Sequence, residues 1–172
     1  MDYVVRVATL GDVKGIGALL QASYPILMES AYDEVRLAPA LKLMTRPNPA
    51  LLASGTFYLA EARDGLVVGC GGWTLERPGG DVVEAGLAHI RQFGTHPDWT
   101  HRGIGRAIYR LCEANARSAG ITRFECDASL NAEGFYSALG FESIRRMDCA
   151  LSSSVALAGV LMRCRVQEGA GS

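Results

Sequence analysis

The spacing of hydrophobic residues divides the chain into strands and helices. Short runs that are rich in β-branched and aromatic residues predict strands at residues 3–8, 56–62, 66–76 and 84–95. Turn sequences join the last three of these runs, so they predict an antiparallel meander. Apolar residues that recur every three or four positions instead predict two long helices, one ending near Ser23 and one over residues 103–119.

The first long helix begins at a capping sequence. Thr9 and Asp12 have the spacing of a capping box, and the apolar stripe that follows continues to about Ser23. The segment "KGIGAL" at residues 14–19 lies in the middle of this helix, where its backbone N–H groups are used by helical hydrogen bonds. Residues 24–55 predict one or two short helices with irregular connections, because prolines interrupt the segment.

The C-terminal half continues the alternation of helices and strands. After the second long helix, residues 121–128 predict a strand. Asn131 is then predicted to cap a short helix that ends at Gly140. Two further strands are predicted at about 142–151 and 157–166.

No repeat or linker separates these elements. Their order predicts one mixed α/β (α+β) domain, in which helices flank a central sheet that contains the meander. We expect this domain to span residues 1–166 and to be followed by a flexible tail at residues 167–172.

Composition argues against several classes of partner. Seventeen lysines and arginines balance eighteen aspartates and glutamates, so the chain lacks the basic excess that nucleic-acid binding requires. No apolar run reaches the ~18 residues of a membrane span, and the N-terminus lacks the pattern of a signal peptide. The five cysteines are scattered and have no metal-ligand spacing. We therefore expect a cytoplasmic protein without nucleic-acid, membrane or metal partners.

The segment "RGIGRA" at residues 102–107 stands where the second long helix begins. Backbone N–H groups lack helical partners there, so Gly103 and Gly105 predict close approach of the backbone to an anion such as a phosphate. Two common phosphate motifs do not fit this segment. A dinucleotide-binding GxGxxG would need glycine where Ile108 stands, and a P-loop would need Gly-Lys followed by serine or threonine.

Three segments extend the pattern around this loop: "HIRQFGTHPDWTHRGIGRAIYRLCEANARSAG", "ITRFECDA" and "LNAEGFYSALGF". Together they resemble the GNAT superfamily of acyl-CoA-dependent N-acyltransferases, and the order of strands over nearly the whole chain is similar too. The family's core motif is (Gln/Arg)-x-x-Gly-x-(Gly/Ala). Gly103 and Gly105 match it, whereas Thr100 stands where glutamine or arginine is usual, which puts one expected contact in doubt.

The resemblance implies a V-shaped split between the fourth and fifth strands that holds acetyl-CoA as co-substrate. The pyrophosphate of the coenzyme would lie on the amides of residues 102–106, and its pantetheine arm would pair with the backbone of residues 93–95. A backbone N–H at Phe93 or Gly94 would polarise the thioester carbonyl. The implied coenzyme-binding residues are Phe93, Gly94, Thr95, Arg102, Gly103, Ile104, Gly105, Arg106 and Asn131.

Tyr136 and Cys126 are the candidate groups near the sulfur of the coenzyme. Tyr136 occupies the position of the family's usual proton donor to the departing thiolate. The alternative is an aromatic side chain that only packs between helix and sheet. Cys126 lies in an apolar strand and is interpreted as a buried thiol rather than as a nucleophile.

His89 is the candidate base, either directly or through water, since imidazole titrates near neutrality and several relatives place a base on this strand. Alternation along the strand places His89 on one face with Arg91, Phe93 and Thr95. A structural histidine is the alternative interpretation. Glu84 is a weaker candidate for the base.

The function that the resemblance implies is transfer of an acetyl group from acetyl-CoA to a primary amine of a small molecule, by direct attack of the amine. Two alternatives stay open at this point. The acceptor is a peptide or protein amine in one, and the chain is a non-catalytic acyl-CoA-binding module in the other. A homodimer is compatible with the fold by analogy.

Overall fold

The computed structural model describes residues 2–169, which form seven strands and five α-helices. The strands are β1 (Tyr3–Val7), β2 (Phe57–Ala62), β3 (Val67–Thr74), β4 (Leu87–Thr95), β5 (Arg123–Ser129), β6 (Glu142–Ala150) and β7 (Ala156–Arg165). The helices are α1 (Val13–Met28), α2 (Glu34–Met44), α3 (Pro49–Leu52), α4 (Ile104–Ser118) and α5 (Glu133–Ala138). Single 3-10 turns precede α1, α4 and α5.

All seven strands belong to one mixed sheet with the order β1-β2-β3-β4-β5-β7-β6. Every neighbouring pair is antiparallel except β4 and β5, which are parallel. The predicted meander is confirmed as β2, β3 and β4, and so is the mixed α/β class. The sheet therefore consists of two antiparallel halves that meet at a single parallel pair.

The two halves of the sheet separate along most of that parallel pair. Strand β4 pairs with β5 only over residues 87–89, which lie opposite residues 123–125. Beyond His89, β4 continues to Thr95 beside β3, and β5 continues to Ser129 beside β7. The predicted split between the fourth and fifth strands is thus confirmed, with its apex at His89 and Glu125.

A bulge in β4 changes which side chains share a face. Gly72 pairs with Arg91 and Cys70 pairs with Gly94, so β4 holds one more residue than β3 between these two pairs. The extra residue is accommodated where Gln92 adopts a φ of 51°. The sequence-based prediction that His89, Arg91, Phe93 and Thr95 share one face is therefore wrong. A one-residue insertion moves every later side chain to the other face.

The sheet packs a helix on each face. On one face, α4 lies so close to β3 that a Cβ at Gly69 would collide with Ile104, and the Phe93 ring covers Gly71. On the other face, the buried α1 residues Leu19 and Leu20 pack with Phe57, Leu59 and Cys70 of the sheet, among others. His89 and Arg91 therefore point to the α1 face, whereas Phe93 and Thr95 point to the α4 face.

Two helix boundaries differ from the prediction. Helix α1 continues through Pro25 to Met28 instead of ending near Ser23, and the fully buried Met28 packs its last turn against α2 and β7. The N-cap of α5 is Ala132, because Asn131 belongs to the preceding 3-10 turn. A side chain that suits a cap does not by itself decide where the helical hydrogen bonds begin.

Within residues 2–169, none of the helices combines the length and the apolar character that crossing a membrane requires. Residues 167–169 of the predicted tail are irregular, and residues 170–172 lie outside the described part.

Candidate active site

A cleft of about 1250 Å³ opens where β4 and β5 separate. Its walls come from α1, β4, β5, the loop before α4, the start of α5 and the end of β6. Of the predicted site residues, the cleft brings together Phe93, Gly94, Thr95, Gly103, Ile104, Gly105, Arg106, Asn131 and Tyr136. It does not bring in His89, Glu84 or Arg102, which do not line it.

The loop before α4 leaves the N-terminus of the helix uncapped. Gly103 is the N-cap residue, with a φ of 77° and no side-chain hydrogen bond to the first turn. The first helical bond runs from the Ala107 N–H to the Gly103 carbonyl at 2.9 Å, so the amides of residues 104–106 precede it. No acidic side chain stands in this first turn. The arrangement fits an anionic group of the size of a phosphate.

Glycine is needed at the two positions of this loop for different structural reasons. At Gly103 the left-handed backbone excludes most side chains, and a Cβ there would extend into open space. At Gly105 a Cβ would stand 2.9 Å from the Phe135 ring. Gly103 therefore leaves the space beside the amides of residues 104–106 open, whereas Gly105 allows α5 to pack against the start of α4.

Thr100 and Arg102 turn toward the protein. The Thr100 hydroxyl donates to the Pro97 carbonyl at 3.2 Å, which closes the 3-10 turn at residues 97–99. The Arg102 guanidinium lies 4.5 Å from the centroid of the Trp99 ring. Arg106 is exposed and lines the cleft, so it is the arginine of this segment that is free to meet a ligand.

The backbone of β4 presents polar groups to the split after the bulge. The His96 N–H donates to the Val68 carbonyl of β3 at 2.9 Å, and backbone directions alternate along a strand. Phe93 and Thr95 therefore direct their backbone groups away from β3, into the split. Gly94 instead pairs with Cys70 of β3, so its amide faces that strand.

Two α1 residues that sequence reasoning missed contact this exposed backbone. The Tyr24 hydroxyl donates to the Phe93 carbonyl at 2.8 Å, and the Ser23 hydroxyl donates to the Thr95 carbonyl at 2.6 Å. Ser23 is fully buried and continues the buried stripe of α1 after Leu20. A small polar residue within an apolar helical stripe was the only signal in the sequence.

Tyr136 lies at the base of the cleft among aromatic rings. Its ring centroid is 5.0 Å from that of Phe135, 5.4 Å from that of Phe141 and 6.2 Å from that of Phe93. Its hydroxyl lies near the thiol of Cys126, which also lines the cleft. Burial raises the pKa of Tyr136 well above 10 and raises that of the Cys126 thiol. Both groups therefore carry their protons at neutral pH.

His89 lies at the apex of the split, where β4 is still paired on both sides. The residue is buried, and burial lowers the pKa of its imidazole below 6.5, so the ring is neutral at pH 7. Glu84 lies before β4 and forms an exposed ion pair with Arg123 at 3.0 Å. Within residues 2–169, no three His, Cys, Asp or Glu side chains are grouped as metal ligands.

Comparison with known proteins places this geometry in a family. A family model described as "Acetyltransferase (GNAT) domain" matches residues 53–143, which is more than half of the chain. This range contains β2 to β5, the glycine loop with α4, and Tyr136 on α5. No curated protein sequence matches the chain.

Solved structures share the fold at low sequence identity. A GCN5-related N-acetyltransferase from Rhodopseudomonas palustris has a TM-score of 0.77 and 22% identity, with 96% of each chain covered. The PaiA N-acetyltransferase from Thermoplasma acidophilum, solved with coenzyme A, has a TM-score of 0.71 and 17% identity, with 96% of this chain and 99% of that chain covered. A GNAT acetyltransferase from Staphylococcus aureus has a TM-score of 0.69 and 13% identity at the same coverage.

The family model covers the split, the glycine loop and α5, which are the segments that form the cleft and the uncapped helix start in the structure. The chain therefore belongs to the GNAT family of acyl-CoA-dependent N-acetyltransferases.

Proposed function

We propose that this acetyltransferase transfers an acetyl group from acetyl-CoA to a primary amine of a small molecule, by direct attack of the amine. The observation that carries the proposal is the uncapped start of α4, which opens into the same cleft as Tyr136 and the exposed backbone of β4. Anion-binding amides, backbone donors and a protonated hydroxyl thus line one continuous space.

The proposed coenzyme site follows this line of groups. The amides of residues 104–106 bind the pyrophosphate, and Arg106 and Asn131 line the same cleft. The backbone of Phe93 and Thr95 pairs with the pantetheine arm, since these residues direct their backbone groups into the split. Bound acetyl-CoA supplies an activated acetyl group as a thioester.

Phe93 and Tyr136 have separate roles in the proposed chemistry. The Phe93 N–H faces the split, whereas the Gly94 amide faces β3, so Phe93 is the better donor to the developing oxyanion. Tyr136 holds a proton that it can donate to the departing thiolate. Cys126 stays protonated by burial, which argues against an acetyl-cysteine intermediate.

His89 is proposed to accept the amine proton through water, because it does not line the cleft. Its lowered pKa keeps the ring neutral and able to accept a proton at pH 7. Glu84 is a poorer base, since it is exposed and paired with Arg123. A small acceptor is favoured because α1, the α2–α3 connection and the end of β6 enclose the cleft around Met28, Met44 and Leu151.

The test is thiol release from acetyl-CoA by the purified protein with a panel of amines. We expect the Tyr136→Phe variant to lower kcat by about a hundredfold and to leave the Kd for coenzyme A unchanged. Tyr58→Phe is the matched control, because Tyr58 is equally buried but does not line the cleft. Equal kcat for wild type and Tyr136→Phe would show that Tyr136 is not the acid.

A further inference from the structure

Arg91 places a half-buried guanidinium in the wall of the cleft. It stands on β4 just before the bulge, opposite Gly72, and lines the cleft together with Asp127 of β5. Both side chains lie on the α1 face of the sheet, since His89 and Glu125 pair at the apex and Arg91 and Asp127 each follow two residues later. The two side chains therefore flank the split on the side away from the glycine loop.

Among the described residues, most hydrogen-bond donors of Arg91 have no protein partner. Within residues 2–169, its one side-chain hydrogen bond runs from Nη1 to the Thr74 hydroxyl at 3.0 Å, and no carboxylate lies within ion-pair distance. A guanidinium carries five N–H donors. Arg77, which also lines the cleft, instead pairs with Asp127 at 3.2 Å.

Burial without a paired anion is costly for a charged group. Desolvation lowers the pKa of Arg91 from its ordinary value, although Glu76 and Asp127 partly offset this effect. Arginine stays protonated in proteins, so the charge remains in the cleft. A site of this kind is stabilised when a ligand brings an anionic group to it.

The coenzyme does not account for this charge. Its proposed phosphate site is the start of α4, which packs on the other face of the sheet, where a Cβ at Gly69 would contact Ile104. Arg106 and the free amides serve that site. Arg91 instead faces the space that remains for the acceptor.

We propose that Arg91 binds a carboxylate of the acceptor, so that the substrate is a primary amine of the amino-acid class. Planar guanidinium and carboxylate groups form two parallel hydrogen bonds, and the Thr74 contact holds one edge of Arg91 while the other donors stay available. Asp127 stands on the same face, but its carboxylate is already paired with Arg77, so Arg91 is left to recognise the anionic group of the substrate. This inference rests on the proposed function.

The experiment compares matched acceptors that differ only at the carboxylate. Initial rates of thiol release from acetyl-CoA are measured with the twenty standard amino acids, with the carboxamide of each one that reacts, and with spermidine. We expect kcat/KM for the acid to exceed that of its amide by at least about tenfold. The amide carries more free amine at neutral pH, so such a preference would have to come from recognition of the carboxylate.

Variants then assign the preference to one side chain. Arg91→Gln should raise KM for the acid at least about tenfold, leave kcat/KM for the amide unchanged, and bring the ratio of acid to amide close to one. Arg91→Lys keeps the charge without the planar fork and should restore part of the ratio. Arg145→Gln is the control, since Arg145 is exposed on β6 and does not line the cleft.

The outcomes separate this inference from the proposed function. Thiol release with amides or spermidine at rates equal to those of the acids would overturn the inference and leave the acetyltransferase proposal standing. Equal losses for acid and amide in Arg91→Gln would assign Arg91 a structural role and overturn it as well. No release with any amine would overturn both. If Arg91→Gln fails to fold, Arg91→Lys and the wild-type ratio decide.

Discussion

The chain contains the triplet Gly-Ile-Gly twice, near the start of α1 and at the start of α4, and the two copies do opposite things. At residues 15–17 the glycines bring α1 close to its neighbours: a Cβ would be 2.8 Å from Val67 at the first glycine and 3.3 Å from Pro47 at the second. At residues 103–105 the first glycine adopts a left-handed backbone and faces open space. The copy in α1 packs against neighbouring residues, whereas the copy at the start of α4 borders open space in the cleft.

The residues before each triplet explain the difference. Ahead of α1, the Thr9 N–H donates to Asp12 at 2.8 Å, and Arg6 holds the Asp12 carboxylate by two further hydrogen bonds. These bonds hold a 3-10 turn directly against α1, and the Leu10 carbonyl of that turn accepts the Val13 N–H of the helix start. Ahead of α4 no side chain caps the first turn, so its amides stay available to an external anion. Identical triplets therefore acquire their roles from the segments that precede them, since a 3-10 turn adjoins α1 and a left-handed glycine begins α4.

The largest expected effect comes from blocking the free amides at the start of α4. Gly103→Val should raise the Kd for coenzyme A by more than about tenfold, because a branched side chain would stand over the free amides. Calorimetric titration of coenzyme A measures the change. Gly79→Val is the matched control, since Gly79 has a φ of 76°, has nothing within 4 Å of its Cβ position and does not line the cleft. Equal losses of coenzyme A affinity in both variants would show that backbone strain causes the effect.

A smaller effect is expected at the 3-10 turn that precedes α1. Hydrogen bonds from Arg6 and from the Thr9 amide lower the pKa of Asp12 to about 2, although burial of the carboxylate acts in the opposite direction. Because Arg6 is partly exposed, Asp12→Ala should lower the free energy of unfolding by only about 1 kcal/mol at pH 7. Because its pKa is lowered in the folded state, the ionised Asp12 carboxylate stabilises the fold above about pH 4. This stabilisation is lost as the pH falls toward 2.

Urea denaturation at pH 7 and pH 3 measures this prediction. The difference in unfolding free energy between wild type and Asp12→Ala should shrink at the lower pH, while coenzyme affinity at pH 7 stays the same. Asp81→Ala, at an exposed position in the loop before β4, should show no such change between the two pH values. A difference that grows toward pH 3 would contradict the assigned role of Asp12.

The smallest effect is expected inside the α1 triplet. Gly17→Ala gains helix propensity of up to about 1 kcal/mol, but Pro47 must move by a few tenths of an ångström to admit the new Cβ. The two contributions oppose each other, so the unfolding free energy should change by less than about 1 kcal/mol. Coenzyme affinity should not change. A loss of affinity comparable to that of Gly103→Val would remove the distinction between the two triplets.

The local features of both helix starts could be predicted from the sequence. The Thr9–Asp12 capping box and the free backbone N–H groups after Gly103 follow from short-range rules on helix starts. The resemblance to the family implied the split and the placement of Tyr136 beside it. These features depend on residues that are close in the sequence or on a complete motif.

The rest depends on contacts between distant segments. The bulge in β4 requires Gln92 to adopt a positive φ, which nothing in its local sequence demands. It is accompanied by the Phe93 ring over Gly71 and by the hydrogen bonds from Ser23 and Tyr24. Without the bulge, alternation placed Arg91 and Phe93 on one face, so their separation could not be foreseen.

That bulge places the proposed acceptor site and the proposed coenzyme site on opposite faces of a single strand. Residues 89 and 91 lie on the side proposed for the acceptor, whereas residues 93 and 95 lie on the side proposed for the coenzyme. Substitutions at the first pair can retune acceptor choice while the main chain that receives the coenzyme is left intact. A deletion of one residue at the bulge would turn the side chains of Phe93 and Thr95 to the α1 face, so both proposed sites depend on the length of this strand.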